Sequence, residues 1–77
     1  MVSAYILILT DVGRAAQVAA AVAEIEGVLA ADDVTGPSDV VVRAQATDVD
    51  ELGRMVVAKI QAIEGIERTL TCPVVHL

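Results

Sequence analysis

The chain has 77 residues and a formal net charge of −6, which describes one small acidic domain and argues against docking on phosphate backbones. It is 56% hydrophobic but only 1% aromatic, with no Trp or Phe, so its core has to be assembled from Val, Ile, Leu and Ala. The lone Cys72 rules out a disulfide within the chain, and without a staple or a metal cluster a domain this small gains adequate burial by oligomerising.

Val2 to Thr10 reads as strand one. Tyr5, Leu7 and Leu9 alternate with Ala4, Ile6 and Ile8, so both faces are apolar and both call for cover. Thr10 or Asp11 is placed to cap the next helix. Arg14 to Glu26 reads as helix one, with Val18, Val22 and Ile25 at helical spacing beside Ala15 and Ala21. Gly27 ends it.

Val28 to Thr35 reads as strand two. Its adjacent Asp32 and Asp33 point to opposite faces of a strand and do not converge, so they mark a solvated edge rather than a metal or acid/base pair. Val34-Thr35-Gly36-Pro37-Ser38-Asp39-Val40 carries turn chemistry and makes a hairpin of strands two and three. Its backbone amides are free to face a ligand, and Asp39 is suited to a cationic group.

Asp39 to Ala46 reads as strand three, with Val41 and Arg43 sharing a face. Asp48 opens helix two, and Glu51 completes a capping box. Val49, Leu52, Val56, Ile60 and Ile63 form its buried stripe, with Asp50, Arg54, Lys59 and Glu64 on the wet side. Gly65 ends the helix, and Ile66 to Val75 reads as strand four. There Thr69 and Thr71 share one face, Leu70 and Cys72 the other, and Pro73 suits an edge or a strand end.

The order β-α-β-β-α-β repeats weakly, as Glu24-Ile25-Glu26-Gly27-Val28 and Ala62-Ile63-Glu64-Gly65-Ile66 occupy equivalent places. This is the α+β split-βαβ, or ferredoxin-like, plan: a four-stranded antiparallel sheet with two helices on one face. Strands one and three are central in it. The chain has no element left for the second face, so a second copy packed sheet to sheet, a dimeric α/β barrel, is the expected cover.

Signals for catalysis are thin. The only histidine, His76, lies one residue from the end, no phosphate loop, metal spacing or nucleophile motif occurs, and Tyr5 and Arg43 have no base beside them. No catalytic residue, metal or cofactor is expected. No segment reads as a secretion signal or a membrane span, and one unpaired cysteine, read as core filler, fits a reducing cytoplasm.

The strand-one run Ala4-Tyr5-Ile6-Leu7-Ile8, Glu26-Gly27-Val28, the turn Val34 to Asp39, Asp48-Val49-Asp50-Glu51-Leu52 and the closing Gly65 to Thr71 stand in order and at matching spacing. On these the chain resembles the C-terminal effector domain of Lrp/AsnC transcriptional regulators, the RAM domain, over nearly its whole length. The resemblance implies dimers joined through their sheets and assembled into octameric or decameric rings. It also implies an amino acid bound between dimers. The family's Thr-Gly-x-x-Asp turn maps onto Thr35, Gly36 and Asp39, and the strand-four threonines onto Thr69 and Thr71. It implies a partner as well, a full-length regulator of the same family. Two departures are visible: residues 1–77 read as a single effector domain without a helix-turn-helix, and Ser38 stands where the family often has an aromatic residue. The competing expectations are a small dimeric α/β-barrel enzyme and a ligand-free assembly domain.

Overall fold

β-Branched runs broken by glycine turns dictate the order of the elements. The computed structural model describes residues 1–76. It has β1 (Val2–Thr10), α1 (Ala15–Ala23), β2 (Val28–Asp33), β3 (Val40–Ala46), α2 (Val49–Arg54) with a π-helical continuation over Met55–Ile60, and β4 (Ile66–Pro73). The strands form one antiparallel sheet in the order β2-β3-β1-β4, so the two doubly apolar strands are the central ones.

The alternation along the strands sorts the side chains between two environments. Ile6 and Ile8 of β1 and Val40, Val42 and Ala44 of β3 lie fully buried beneath the helices, against Val18 and Val22 of α1 and Ile60, while Ala4 of β1 packs with Ala46 and Leu52. The register sets Tyr5 opposite Arg43 and Leu7 opposite Val41 on the other face, which no element among the described residues covers. Leu70 of β4 and Tyr5 there are 60% and 42% exposed.

Glycine is required at both helix ends. Gly27 and Gly65 adopt φ of 95° and 97°, where a β-carbon is strained. At Gly27 a β-carbon would also stand 2.5 Å from Met55 Cε and 2.8 Å from the Gln45 carbonyl oxygen.

Several expectations are corrected. Helix one stops at Ala23, short of Glu26, and neither Thr10 nor Asp11 caps it with a side chain. Ala19, not Ala21, completes its buried stripe, because it lies one turn from Val22. Strand two ends at Asp33, before Thr35. Asp48 Oδ1 does accept the Glu51 N–H at 2.7 Å, but the Glu51 carboxylate turns to Arg54, so only half the capping box forms. Helix two is not uniformly α-helical: the Gln61 N–H reaches back five residues to the Val56 carbonyl at 2.9 Å. Val49 is 65% exposed, because the helix meets the sheet only from Leu52 onward, and Met55 joins Leu52, Val56 and Ile60 inside. Cys72 is exposed, not core filler, because it sits opposite Tyr5 on the uncovered face.

Candidate functional site

The turn after β2 is closed by its own backbone. The Val34 N–H donates to the Asp39 carbonyl at 2.9 Å, and the Asp39 N–H donates to the Ile8 carbonyl at 2.9 Å, tying the turn to β1. Thr35, Gly36 and Pro37 are exposed, whereas Ser38 and Asp39 are half-buried. The Asp39 side chain continues this attachment. Its Oδ2 accepts the Thr10 backbone N–H at 2.9 Å and the Thr10 hydroxyl at 3.1 Å. Thr10 is the buried polar residue of the described chain, and one carboxylate oxygen satisfies both of its donors.

Strand β4 brings its residues to the same end of β1. Thr69 lies opposite Ile8, Thr71 opposite Ile6 and Arg68 opposite Leu9. Thr69 and Thr71 therefore share the helix-covered face, where the Thr69 hydroxyl accepts the Gln61 side-chain amide at 2.9 Å. A cleft of about 330 Å³ opens beside the turn, lined by Leu7, Leu9, Ser38, Arg68, Thr69 and Leu70.

Of the five residues singled out from the sequence, Thr69 lines this cleft. Asp39 adjoins it through Ser38 and spends one oxygen on Thr10, Thr35 and Gly36 form the exposed tip of the turn, and Thr71 lies two residues further along β4. Sequence reasoning singled out Ser38 only as a departure from the family's aromatic at the pocket wall, and it missed Arg68 as a lining group. Only the β1–β4 register, which sets Arg68 across from Leu9, brings that cation onto the cleft. The exposed Arg68 has no carboxylate partner among the described residues, where the ion pair found is Arg54–Glu51 at 3.2 Å. A free guanidinium, a hydroxyl and a leucine wall suit a small molecule with an anionic group and an apolar body.

A larger hollow of about 630 Å³ lies at the opposite end of the sheet, among Met1, Leu29, Ala46 and Met55. It lacks the turn, so the smaller cleft, where loop and strand polar groups converge, is the better candidate. Among the described residues no cluster of His, Cys, Asp and Glu is arranged for a metal, and no helix is long and apolar enough to cross a membrane.

The family model described as the Lrp/AsnC ligand binding domain matches residues 3–76. The chain belongs to that family. This Lrp/AsnC domain is 34% identical over 55 residues to an uncharacterized HTH-type transcriptional regulator of Pyrococcus abyssi, a match spanning 71% of this chain and 37% of the relative. The match therefore spans little more than a third of the curated relative's length. Among solved structures it resembles TTHA0845 from Thermus thermophilus at 35% identity and a TM-score of 0.94, covering 100% of this chain and 96% of that one. Escherichia coli AsnC superposes with a TM-score of 0.91 at 23% identity, covering 99% of this Lrp/AsnC domain and 52% of AsnC, which bears on the fold alone.

Proposed function

We propose that this domain is an amino-acid-binding and oligomerisation module tied to transcriptional regulation, and that it acts as a homodimer joined through the uncovered sheet face. The observation that carries the reading is the cleft beside the Thr35–Asp39 turn, in a chain whose family is defined as a ligand binding domain. A transcriptional regulator of Neisseria meningitidis with the same fold was solved in complex with L-Met. In our reading Arg68 takes the ligand's carboxylate, Ser38 and the turn amides around Thr35 and Gly36 hydrogen-bond its polar end, and Leu7, Leu9 and Leu70 hold its side chain. Thr69 and Thr71 fix the strand beneath, and Asp39 holds the turn in place with its second oxygen free for an ammonium group. Dimers assemble further into octameric or decameric rings, with full-length Lrp/AsnC regulators as heteromeric partners. The domain performs no catalysis.

A thermal-shift screen against the twenty amino acids tests this. A ligand at about 100 times its dissociation constant stabilises the native state by roughly 2.7 kcal/mol. A selective rise in midpoint that disappears in Arg68→Ala supports the cleft. Uniform midpoints across all twenty would sink the amino-acid reading and favour a purely structural assembly role.

A further inference from the structure

Arg43 and Tyr5 occupy an unusual place on the uncovered face. They lie directly opposite each other on the two central strands, in a row that continues to Ala30 on one side and Cys72 on the other. The next row is Asp32, Val41, Leu7 and Leu70. The Arg43 guanidinium lies over the Tyr5 ring, 5.7 Å from its centroid. Among the described residues neither the guanidinium nor the Tyr5 hydroxyl has a hydrogen-bond or ion-pair partner. The diagonal neighbour Asp32 is not engaged: the Arg43 guanidinium lies over the tyrosine ring instead.

This arrangement acquires a function if the sheets pack as proposed above, and the inference rests on that dimer. Closing two such sheets into a barrel sets β2 of one copy beside β4 of the other. The two-fold axis then runs along the strands, between β1 and β3. Neighbouring strands are about 4.8 Å apart and stacked sheets about 10 Å apart, so each Arg43 faces the other copy's β1, and the two guanidiniums approach across the axis. Two cations brought together in a layer walled by Leu7, Val41 and Leu70 repel each other and lose solvation. They keep ten N–H donors between them and the π-face of a tyrosine, which offers no lone pair of its own.

We infer that the dimer axis holds a small oxyanion or carboxylate, clamped by both Arg43 guanidiniums and hydrogen-bonded by the Tyr5 hydroxyls. One anion serves two chains, and neither chain alone makes the site. The guanidinium fork matches two oxygens of such an anion, and the tyrosine ring beneath it keeps the cation on this face. The site adjoins the Ser38–Arg68 cleft, sharing the Leu7 and Leu70 wall, but is built on Arg43 and Tyr5 and requires a different ligand count.

Isothermal titration of the purified protein carrying Arg68→Ala, which removes the carboxylate-binding guanidinium of the cleft, with inorganic phosphate, and separately with acetate at equal ionic strength, reads the site directly. The expected result is saturable binding of at least one of the two anions at one per two chains, with affinity at least about tenfold weaker in Arg43→Met. Arg43 is on the surface of the isolated chain, so the variant keeps its fold, and Arg54→Met serves as the control whose binding stays unchanged. Phosphate binding alone marks a phosphate-type ligand and acetate binding alone a carboxylate; either supports the site. No saturable binding, one anion per chain, or equal binding in Arg43→Met would overturn it. Sedimentation velocity on the same samples separates the two levels. A dimer without anion binding rejects only the axial site, whereas a monomer throughout rejects the dimer on which it depends.

Discussion

Replacing Asp39 by Ala tests whether the turn is held by its carboxylate. The substitution removes the acceptor of two Thr10 donors, at 2.9 and 3.1 Å, from a residue that is only 7% exposed. Hydrogen bonds to a charged acceptor contribute roughly 1.5–3 kcal/mol each, and a buried donor left without a partner carries its desolvation cost uncompensated as well. The two bonds share one oxygen and Asp39 is only half-buried, so a loss of about 2–3 kcal/mol for the pair is the reasonable expectation. For a domain of this size that lowers the thermal midpoint by roughly 10–20 °C. Asp39→Asn, which keeps a neutral oxygen, loses about half as much. Thr10→Val removes only the hydroxyl and costs about 1 kcal/mol. Chemical denaturation of the four proteins at one fixed concentration, completed by the Asp39→Ala/Thr10→Val double variant, measures all of this; the fixed concentration removes mass-action effects of a dimer. In the double variant the hydroxyl contribution should count once, giving a coupling of about 1 kcal/mol. A loss below about 0.5 kcal/mol in Asp39→Ala, the range of an ordinary surface change, would refute the clamp.

Gly27→Ala meets both a left-handed φ and the fixed Gln45 carbonyl, and it should destabilise by at least about 2 kcal/mol in urea titrations, with only partial rescue by Met55→Ala. Ile6→Ala empties a fully buried site among the core valines and should cost about 2–5 kcal/mol by the same assay. Leu70→Asp, on the uncovered face, should shift sedimentation from dimer to monomer while circular dichroism stays native. Gln61→Ala breaks an exposed side-chain bond to Thr69 and should change stability by no more than about 0.5 kcal/mol.

The fold is legible in the sequence because its signals are periodic. The two-faced apolarity of Val2–Thr10, the glycines at 27 and 65 and the repeated helix-end pattern all specify the same plan, and the sheet order accords with it. What the sequence conceals depends on register and on which surfaces meet. Nothing local to Arg68 places it beside Ser38; their proximity arises from β4 pairing with β1 and from Asp39 tying the turn to the end of that same strand. The Asp39–Thr10 bonds join residues 29 positions apart and carry no short-range signature. The π-helical turn is equally silent, because Met55–Ile60 has an ordinary helical apolar spacing and only the reach of the Gln61 N–H distinguishes it. Cys72 reads as core filler because alternation along a strand does not say which face the helices cover.

The most direct measurement is a calorimetric titration of the wild-type protein with each amino acid that raises its melting midpoint. Binding at the cleft should saturate at one ligand per chain, be at least about tenfold weaker in Arg68→Ala and stay unchanged in Arg54→Ala. Absence of binding by all twenty amino acids, or binding that Arg68→Ala leaves untouched, would contradict it.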